Sequence, residues 1–147
     1  PEERVDSWKL RVECKDARFE PSRALGVASC VLAGDDAKPA LMLMGVRGLP
    51  PALDEFLAMP DLRVLARVEI GSNAQEVVIQ RAESDTIDVR GRFVRIEGES
   101  HAAMLFEAKP LSLGVNVRAH DSSFEVLASK SWLERHLKQL PPSPSAR

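Results

Sequence analysis

The sequence predicts a mainly β protein: an antiparallel β-sandwich or small barrel of about eight strands, with two short helices. Many segments alternate apolar and polar residues with the two-residue period of a half-buried strand. Strand-like segments follow one another with little helical sequence between them, which favours antiparallel pairing. Turn residues such as Gly71-Ser72-Asn73 separate these segments. A chain of 147 residues, 44% of them hydrophobic, suits one domain with a substantial core.

The first two predicted strands, residues 8–14 and 28–32, each carry one of the two cysteines of the chain. A hairpin turning at residues 21–23 would place Cys14 opposite Cys30, within the distance that a disulfide spans. Alternation points Cys14 to the apolar face of its strand, where the partner must lie. We therefore expect a Cys14–Cys30 disulfide, and the alternative is a pair of buried free thiols.

The middle of the chain is predicted to contain strands and one helix. Residues 40–46 are apolar on both alternating faces, which predicts a strand covered on both sides. A short helix is predicted near residues 50–59, because prolines suit its first turn and Pro60 ends it. The remaining strands are predicted at residues 62–70, 76–82, 86–96 with a bulge or bend at Gly91, 101–107, 113–119 and 124–128.

A second helix is predicted near residues 131–140, with Ser131 as the N-cap of a capping box. The tail, residues 141–147, is rich in Pro and Ser and is expected to be disordered. Residues 1–7 are polar and are expected to form a flexible N-terminus. Residues 8–140 are then predicted to form a single β-rich domain.

Charge and motif content disfavour several classes of function. The net charge of −2, with both signs interleaved, argues against nucleic acid as a partner. No stretch approaches the ~20 apolar residues of a transmembrane segment. Neither a nucleophile motif nor a phosphate-binding glycine loop is present. We expect a non-enzymatic protein with no catalytic residues, no metal and no cofactor.

An acid–base or metal site at Glu97, Glu99 and His101 is the alternative that an enzyme would require. The i, i+2 spacing of the two glutamates would place both carboxylates on one face of a strand. We interpret the segment instead as a solvated loop joining two strands, because such loops are commonly polar and contain glycine.

Two sets of side chains are candidates for binding. Basic residues on neighbouring predicted strands would form a stripe that binds anions, unless nearby acids such as Glu69 and Glu76 balance it on a solvated face. These anion-binding candidates are Arg63, Arg67, Arg90 and Arg95. Methionines and an aromatic residue on apolar strands would form a groove for apolar partners, unless the predicted helices cover them. These apolar candidates are Met42, Met44, Met104 and Phe106.

The sequence thus favours a non-enzymatic protein-interaction module, an assembly or adaptor protein that engages a protein partner through a sheet edge or an apolar groove. The expected disulfide indicates a periplasmic or otherwise extracytoplasmic location. One alternative is a cytoplasmic regulatory or subunit domain cut from a larger protein, because the chain starts at Pro1 without Met and ends in a linker-like tail. A second alternative is a binder of a lipid or another apolar ligand.

Overall fold

The computed structural model describes residues 10–58, 62–82 and 87–146, and it is dominated by one open antiparallel sheet. Its strands pair in chain order from β1 to β8, so each strand neighbours the one that precedes it in the sequence. The strands are β1 (Leu10–Glu20), β2 (Leu25–Gly34), β3 (Leu62–Ile70), β4 (Ala74–Ala82), β5 (Asp88–Ile96), β6 (Glu99–Ala108), β7 (Leu111–Ala119) and β8 (Asp121–Val126). The prediction of a mainly β, antiparallel fold of about eight strands is confirmed.

Three α-helices accompany the sheet in the described parts of the chain. They are α1 (Lys38–Leu43), α2 (Asp54–Leu57), which follows a 3₁₀ turn at Pro51–Leu53, and α3 (Lys130–Leu137). The predicted short helix near residues 50–59 corresponds to the 3₁₀ turn and α2, and the predicted C-terminal helix corresponds to α3. No helix of the described residues has the length and apolar character needed to span a membrane. Parts of the predictions fall on residues that lie outside the described ones, namely 1–9, 59–61, 83–86 and Arg147.

The predicted strand at residues 40–46 is wrong, because most of this segment belongs to α1 and the turn that follows it. Leu41 and Val46 are buried in the apolar core, whereas Met42 and Leu43 are 52% and 65% exposed. A short apolar run fits a buried strand and a helix equally well. All residues of the run are apolar although only some of them are buried, so the sequence does not show which face of the helix packs on the sheet.

The N-cap of α3 is Ser129 rather than the predicted Ser131. The backbone N of Trp132 donates to Ser129 Oγ at 3.1 Å, which satisfies one of the free N–H groups of the first turn. A bulge at Gly91, one of the two predicted irregularities, is not formed, because β5 pairs with β6 without a register shift from Asp88 to Ile96.

Each face of the sheet has its own apolar cluster. On the face that we call the front, buried residues of β3 to β7, among them Val89 and Val115, pack against Leu41 of α1 and Leu57 of α2. On the opposite or back face, Ala103 and Leu105 of β6 pack against α3. The following residues complete the two clusters: Ala37, Val46, Val64, Ala102, Met104, Phe106, Leu113 and Val117 at the front, and Ala128, Trp132 and Leu133 at the back.

Trp132 packs directly on the backbone of β7. A Cβ added at Gly114 would lie 2.8 Å from Trp132 Cη2 and 2.9 Å from Ala128 Cβ. Because Gly114 has no side chain, the indole ring lies against the strand and is 3% exposed. This contact fixes the position of α3 on the back face.

Cys14 and Cys30 are paired directly across β1 and β2 and form the predicted disulfide. Cys30 is buried, whereas all residues from Arg11 to Glu20 are exposed. The edge strand β1 is therefore held by its backbone pairing with β2 and by this covalent bond, rather than by a buried side-chain face.

Removing the disulfide with the C14S/C30S double variant is expected to lower the free energy of unfolding by ~3 kcal/mol, because the cysteines are 16 residues apart and their bond restricts the unfolded chain. Urea denaturation with and without reductant checks this prediction. The wild-type protein with reductant should match the variant, and an unchanged transition midpoint in both would contradict the prediction.

The tail differs from the disordered segment that was predicted. Residues 141–146 lie across the back face of β3 to β5, end in a 3₁₀ turn at Pro144–Ala146 and bury Pro144. Ser143 Oγ donates to Glu76 at 2.9 Å, and the backbone N of Ser145 donates to Glu69 at 3.2 Å. Buried carboxylates require hydrogen-bond donors, and the tail supplies them.

Glu69 and Glu76 lie directly opposite each other on β3 and β4, and they are 1% and 3% exposed. Like charges in this arrangement destabilise a strand pair unless other groups balance them. Arg67 Nη2 lies 2.8 Å from a carboxylate oxygen of Glu69. Arg92 pairs with Glu76 and also donates from Nη2 to the carbonyl oxygen of Pro141 at 2.6 Å. Arg67, Arg92 and the tail thus form a polar cluster around Glu69 and Glu76.

Candidate functional site

An apolar cavity of about 280 Å³ lies between α1 and the front face of the sheet. Helix α1 and the residues next to it form one wall, and strands β2 to β6 form the other. The sheet residues of the lining are Leu32, Ala33, Gly34, Leu62, Val64, Val77, Ile79, Val89, Phe93, Arg95, Met104 and Phe106. The remaining lining residues are Asp36, Ala37, Ala40, Leu41, Leu43 and Met44.

Local hydrogen bonds set the position of α1 over the cavity. The Asp36 side chain accepts a hydrogen bond from the backbone N of Lys38 at 2.8 Å, at the start of the helix. The backbone N of Ala37 donates to the carbonyl oxygen of Leu57 at 3.0 Å, and Lys38 Nζ lies 2.8 Å from Asp54 Oδ1. These contacts tie α1 to α2, whose Leu57 is fully buried in the front cluster.

The cavity suits an apolar ligand because all of its lining residues are apolar except Asp36 and Arg95. A dry apolar cavity of roughly 150 Å³ can take up a molecule of the size of benzene, so this cavity has room for a longer hydrocarbon group. Several of its lining residues, including Leu32, Phe93 and Met44, are only half-buried. The cavity is therefore open to solvent.

Arg95 joins this apolar cavity to a second, polar pocket of about 260 Å³. The polar pocket is formed by the β3–β4 and β5–β6 turns, and its lining residues are Gly71, Ser72, Asn73, Ala74, Gln75, Arg95, Glu97 and Gly98. Arg95 is exposed and pairs across the sheet with Gln75. The positively charged Arg95 thus lines both an apolar cavity and a polar pocket. A molecule with an apolar chain and an anionic end requires this arrangement.

The structure brings three of the four apolar candidates together. Met44, Met104 and Phe106 all line the apolar cavity, and they come from the end of α1 and from β6. Met42 does not line the cavity, because the helical turn directs its side chain to solvent. Whether these residues bind a ligand stays a prediction.

The four arginine candidates do not form one stripe. Only Arg95 lines the apolar cavity. Arg67 pairs with the buried Glu69, and Arg90 Nε lies 2.7 Å from Asp88 Oδ2. Arg63 lies beside Arg11 and Glu13 in a small groove next to the sheet edge. Sequence reasoning treated Glu69 and Glu76 as solvated counter-charges and missed that they are buried, since only the fold shows that the tail covers them.

The alternative acid–base group is partly assembled at the β5–β6 turn. His101 Nε2 lies 3.9 Å from Glu99 Oε2, and Glu97 lies in the turn itself. Within residues 10–58, 62–82 and 87–146, no three His, Cys, Asp or Glu residues are grouped so that they could hold a metal ion. Cys14 and Cys30 are bonded to each other and offer no thiolate.

Comparisons of this chain with protein-family models, with curated proteins and with solved structures find no match, so the geometry of the chain itself carries the functional argument.

Proposed function

We propose that this protein binds a single-chain amphiphile, an apolar chain with an anionic end. The observation that carries the proposal is that Arg95 lies in the wall of both the apolar cavity and the polar pocket. The apolar chain would lie between α1 and the sheet, against Met44, Met104 and Phe106. Arg95 would contact the anionic end, and the polar turns beside it would keep that end in water.

A competition experiment tests this proposal. The anionic fluorescent dye anilinonaphthalene sulfonate is bound to the protein, and dodecanoate is added to displace it. Dodecanol, which has the same chain without the charge, is the matched competitor. We expect both to displace the dye, with dodecanoate the stronger. Failure of both to displace a bound dye, or no dye binding at all, would contradict the proposal.

The A40F variant is expected to lower the affinity for dodecanoate at least ~10-fold, because the aromatic ring would occupy the apolar cavity that Ala40 lines. The matched control is M42F, on the same helix but exposed and outside the lining. M42F should bind as the wild type does, and equal loss in the two variants would show that the cavity is not the binding site.

The R95Q variant is expected to weaken dodecanoate binding up to ~5-fold, since an exposed ion pair is worth at most about 1 kcal/mol. Dodecanol binding should be unchanged because the alcohol carries no charge. Titration of both ligands into the wild type and R95Q measures the difference, and equal weakening of both ligands would contradict the role of Arg95 as the anion contact.

The second candidate function is a protein-interaction module, and the exposed edge strand β1 favours it. A strand edge can accept a strand of another chain through backbone hydrogen bonds. We propose an extracytoplasmic, for example periplasmic, location for either function. The Cys14–Cys30 disulfide supports this location over a cytoplasmic domain, because thiols stay reduced in the cytoplasm of most organisms.

A further inference from the structure

Strand β1 forms one edge of the sheet, and within the part of the chain that the structure describes no strand pairs with its outer side. All residues from 11 to 20 are exposed, including the apolar side chains of Val12 and Phe19. Such an edge offers unpaired backbone N–H and C=O groups to another strand. Charged side chains on edge strands commonly prevent pairing with other chains. The arrangement of charges on β1 therefore decides which strand can pair with it.

The side chains of β1 are complementary to a second, antiparallel copy of themselves. When Arg11 of one copy is set opposite Glu20 of the other, the charged residues of 11–13 and 18–20 meet opposite charges and the apolar residues of these segments meet each other. The pairs across the two copies are Arg11 with Glu20, Val12 with Phe19, and Glu13 with Arg18.

The bulge in β1 makes this alignment sterically consistent. Residues an odd number of positions apart, as Glu13 and Arg18 are, lie on opposite faces of an uninterrupted strand and cannot be directly paired. The register of β1 against β2 shifts between Lys15 and Arg18, however. Glu13 is opposite Val31 and Arg18 is opposite Val27, so both project from the same face of the sheet.

Neighbouring alignments are unfavourable. Sliding one copy by two residues sets Arg11 opposite Arg18 in one direction and Glu13 opposite Glu20 in the other. Like charges directly opposite each other destabilise a strand pair. Sliding by a single residue brings side chains of opposite faces together. The charge pattern thus selects one register and one partner orientation.

We propose that β1 is a homodimer interface, in which two copies pair their β1 strands antiparallel about a two-fold axis and extend the sheet across both chains. This inference rests on the second candidate function and names its partner as another copy of this chain. An isologous contact of this kind closes on itself and does not propagate into a filament. The ion pairs that the charges make within one chain, Arg11 with Glu13 and Glu20 with Arg23, are exposed and exchange readily.

A charge-exchange experiment tests the interface and its register. The variants are E13R, R18E and the double variant E13R/R18E, and the control is E125R, which changes an exposed charge on β8 at the other edge of the sheet. Sedimentation equilibrium over ~1 μM to ~1 mM protein suits the affinity of a small strand-edge interface. Urea denaturation of each variant verifies that it is folded.

Each single variant is expected to weaken dimerisation at least ~10-fold, because two like-charge contacts arise about the axis. E13R/R18E should dimerise as the wild type does. An equimolar mixture of E13R and R18E should form the heterodimer, since each chain then supplies the charges that the other lacks. E125R should have no effect.

A wild type that stays monomeric over the whole concentration range would overturn the proposal. So would a dimer that the single variants leave intact, or that the double variant does not restore. The dodecanoate titration is independent of this edge, so a failure of dimerisation and a failure of ligand binding are separately visible.

Discussion

The G91A variant is expected to lose more than ~3 kcal/mol of the free energy of unfolding, although it adds a single methyl group. A Cβ at this position would lie 2.4 Å from the carbonyl oxygen of Ala103 and 2.7 Å from the Cα of Met104. Both are backbone atoms of the neighbouring strand β6, so no side-chain rotation relieves the contact. The strands would have to separate, and they carry the central residues of the front cluster.

The matched control is G26A, which also places the methyl group on a strand of the sheet. A Cβ at Gly26 would lie 3.8 Å from its nearest neighbour, the carbonyl oxygen of Ile70, which is an ordinary contact. G26A should change stability by less than ~1 kcal/mol, and in the stabilising direction if it mainly restricts the unfolded chain. Urea denaturation followed by tryptophan fluorescence measures both variants, and equal stabilities would refute the packing argument.

The R92A variant is expected to be destabilised by ~3 to 5 kcal/mol, because it leaves the buried carboxylate of Glu76 without its cation. The Arg92 side chain is 17% exposed and that of Glu76 is 4% exposed, so water replaces little of the lost interaction. The carbonyl oxygen of Pro141 loses its donor as well. We therefore expect faster amide hydrogen exchange in the tail than in the wild type.

The control for this variant is R90A on the same strand. The side chains of Arg90 and Asp88 are 48% and 33% exposed, so solvent screens this pair and its loss should cost less than ~1 kcal/mol. The double variant E76L/R92M should recover much of the stability that R92A loses, since an apolar pair of similar volume needs no counter-charge. If R92A were as stable as R90A, the polar cluster around Glu69 and Glu76 would not contribute to the free energy of unfolding.

Local pattern predicted the strands well because alternation is a property of consecutive residues. Residues 62–70 illustrate this, since the predicted strand has the same bounds as β3. The pairing of Cys14 with Cys30 was also predicted, from a turn at residues 21–23, although the observed register depends on the bulge between Lys15 and Arg18 as well. Residues 40–46 failed because a uniformly apolar run has no period that separates helix from strand.

The candidate site depends on contacts between distant segments, and these have no local signal. Met44 and Phe106 meet in one cavity only because α1 folds over the sheet. Glu69 and Glu76 look like solvent-facing charges within alternating strands until residues 141–146 cover them. The charge symmetry of residues 11–20 is visible in the sequence, but it has no physical meaning until the bulge places the matching charges on one face.

The pairing of each strand with its predecessor also bears on how the chain is made. Each strand of this sheet pairs with the strand next to it in the sequence, and proteins rich in such local contacts fold faster than those with distant strand pairings. The first hairpin contains both cysteines and ends at Gly34. Both cysteines are therefore in place once this hairpin has formed, so the disulfide can secure the edge strand before the strands that complete the sheet have paired.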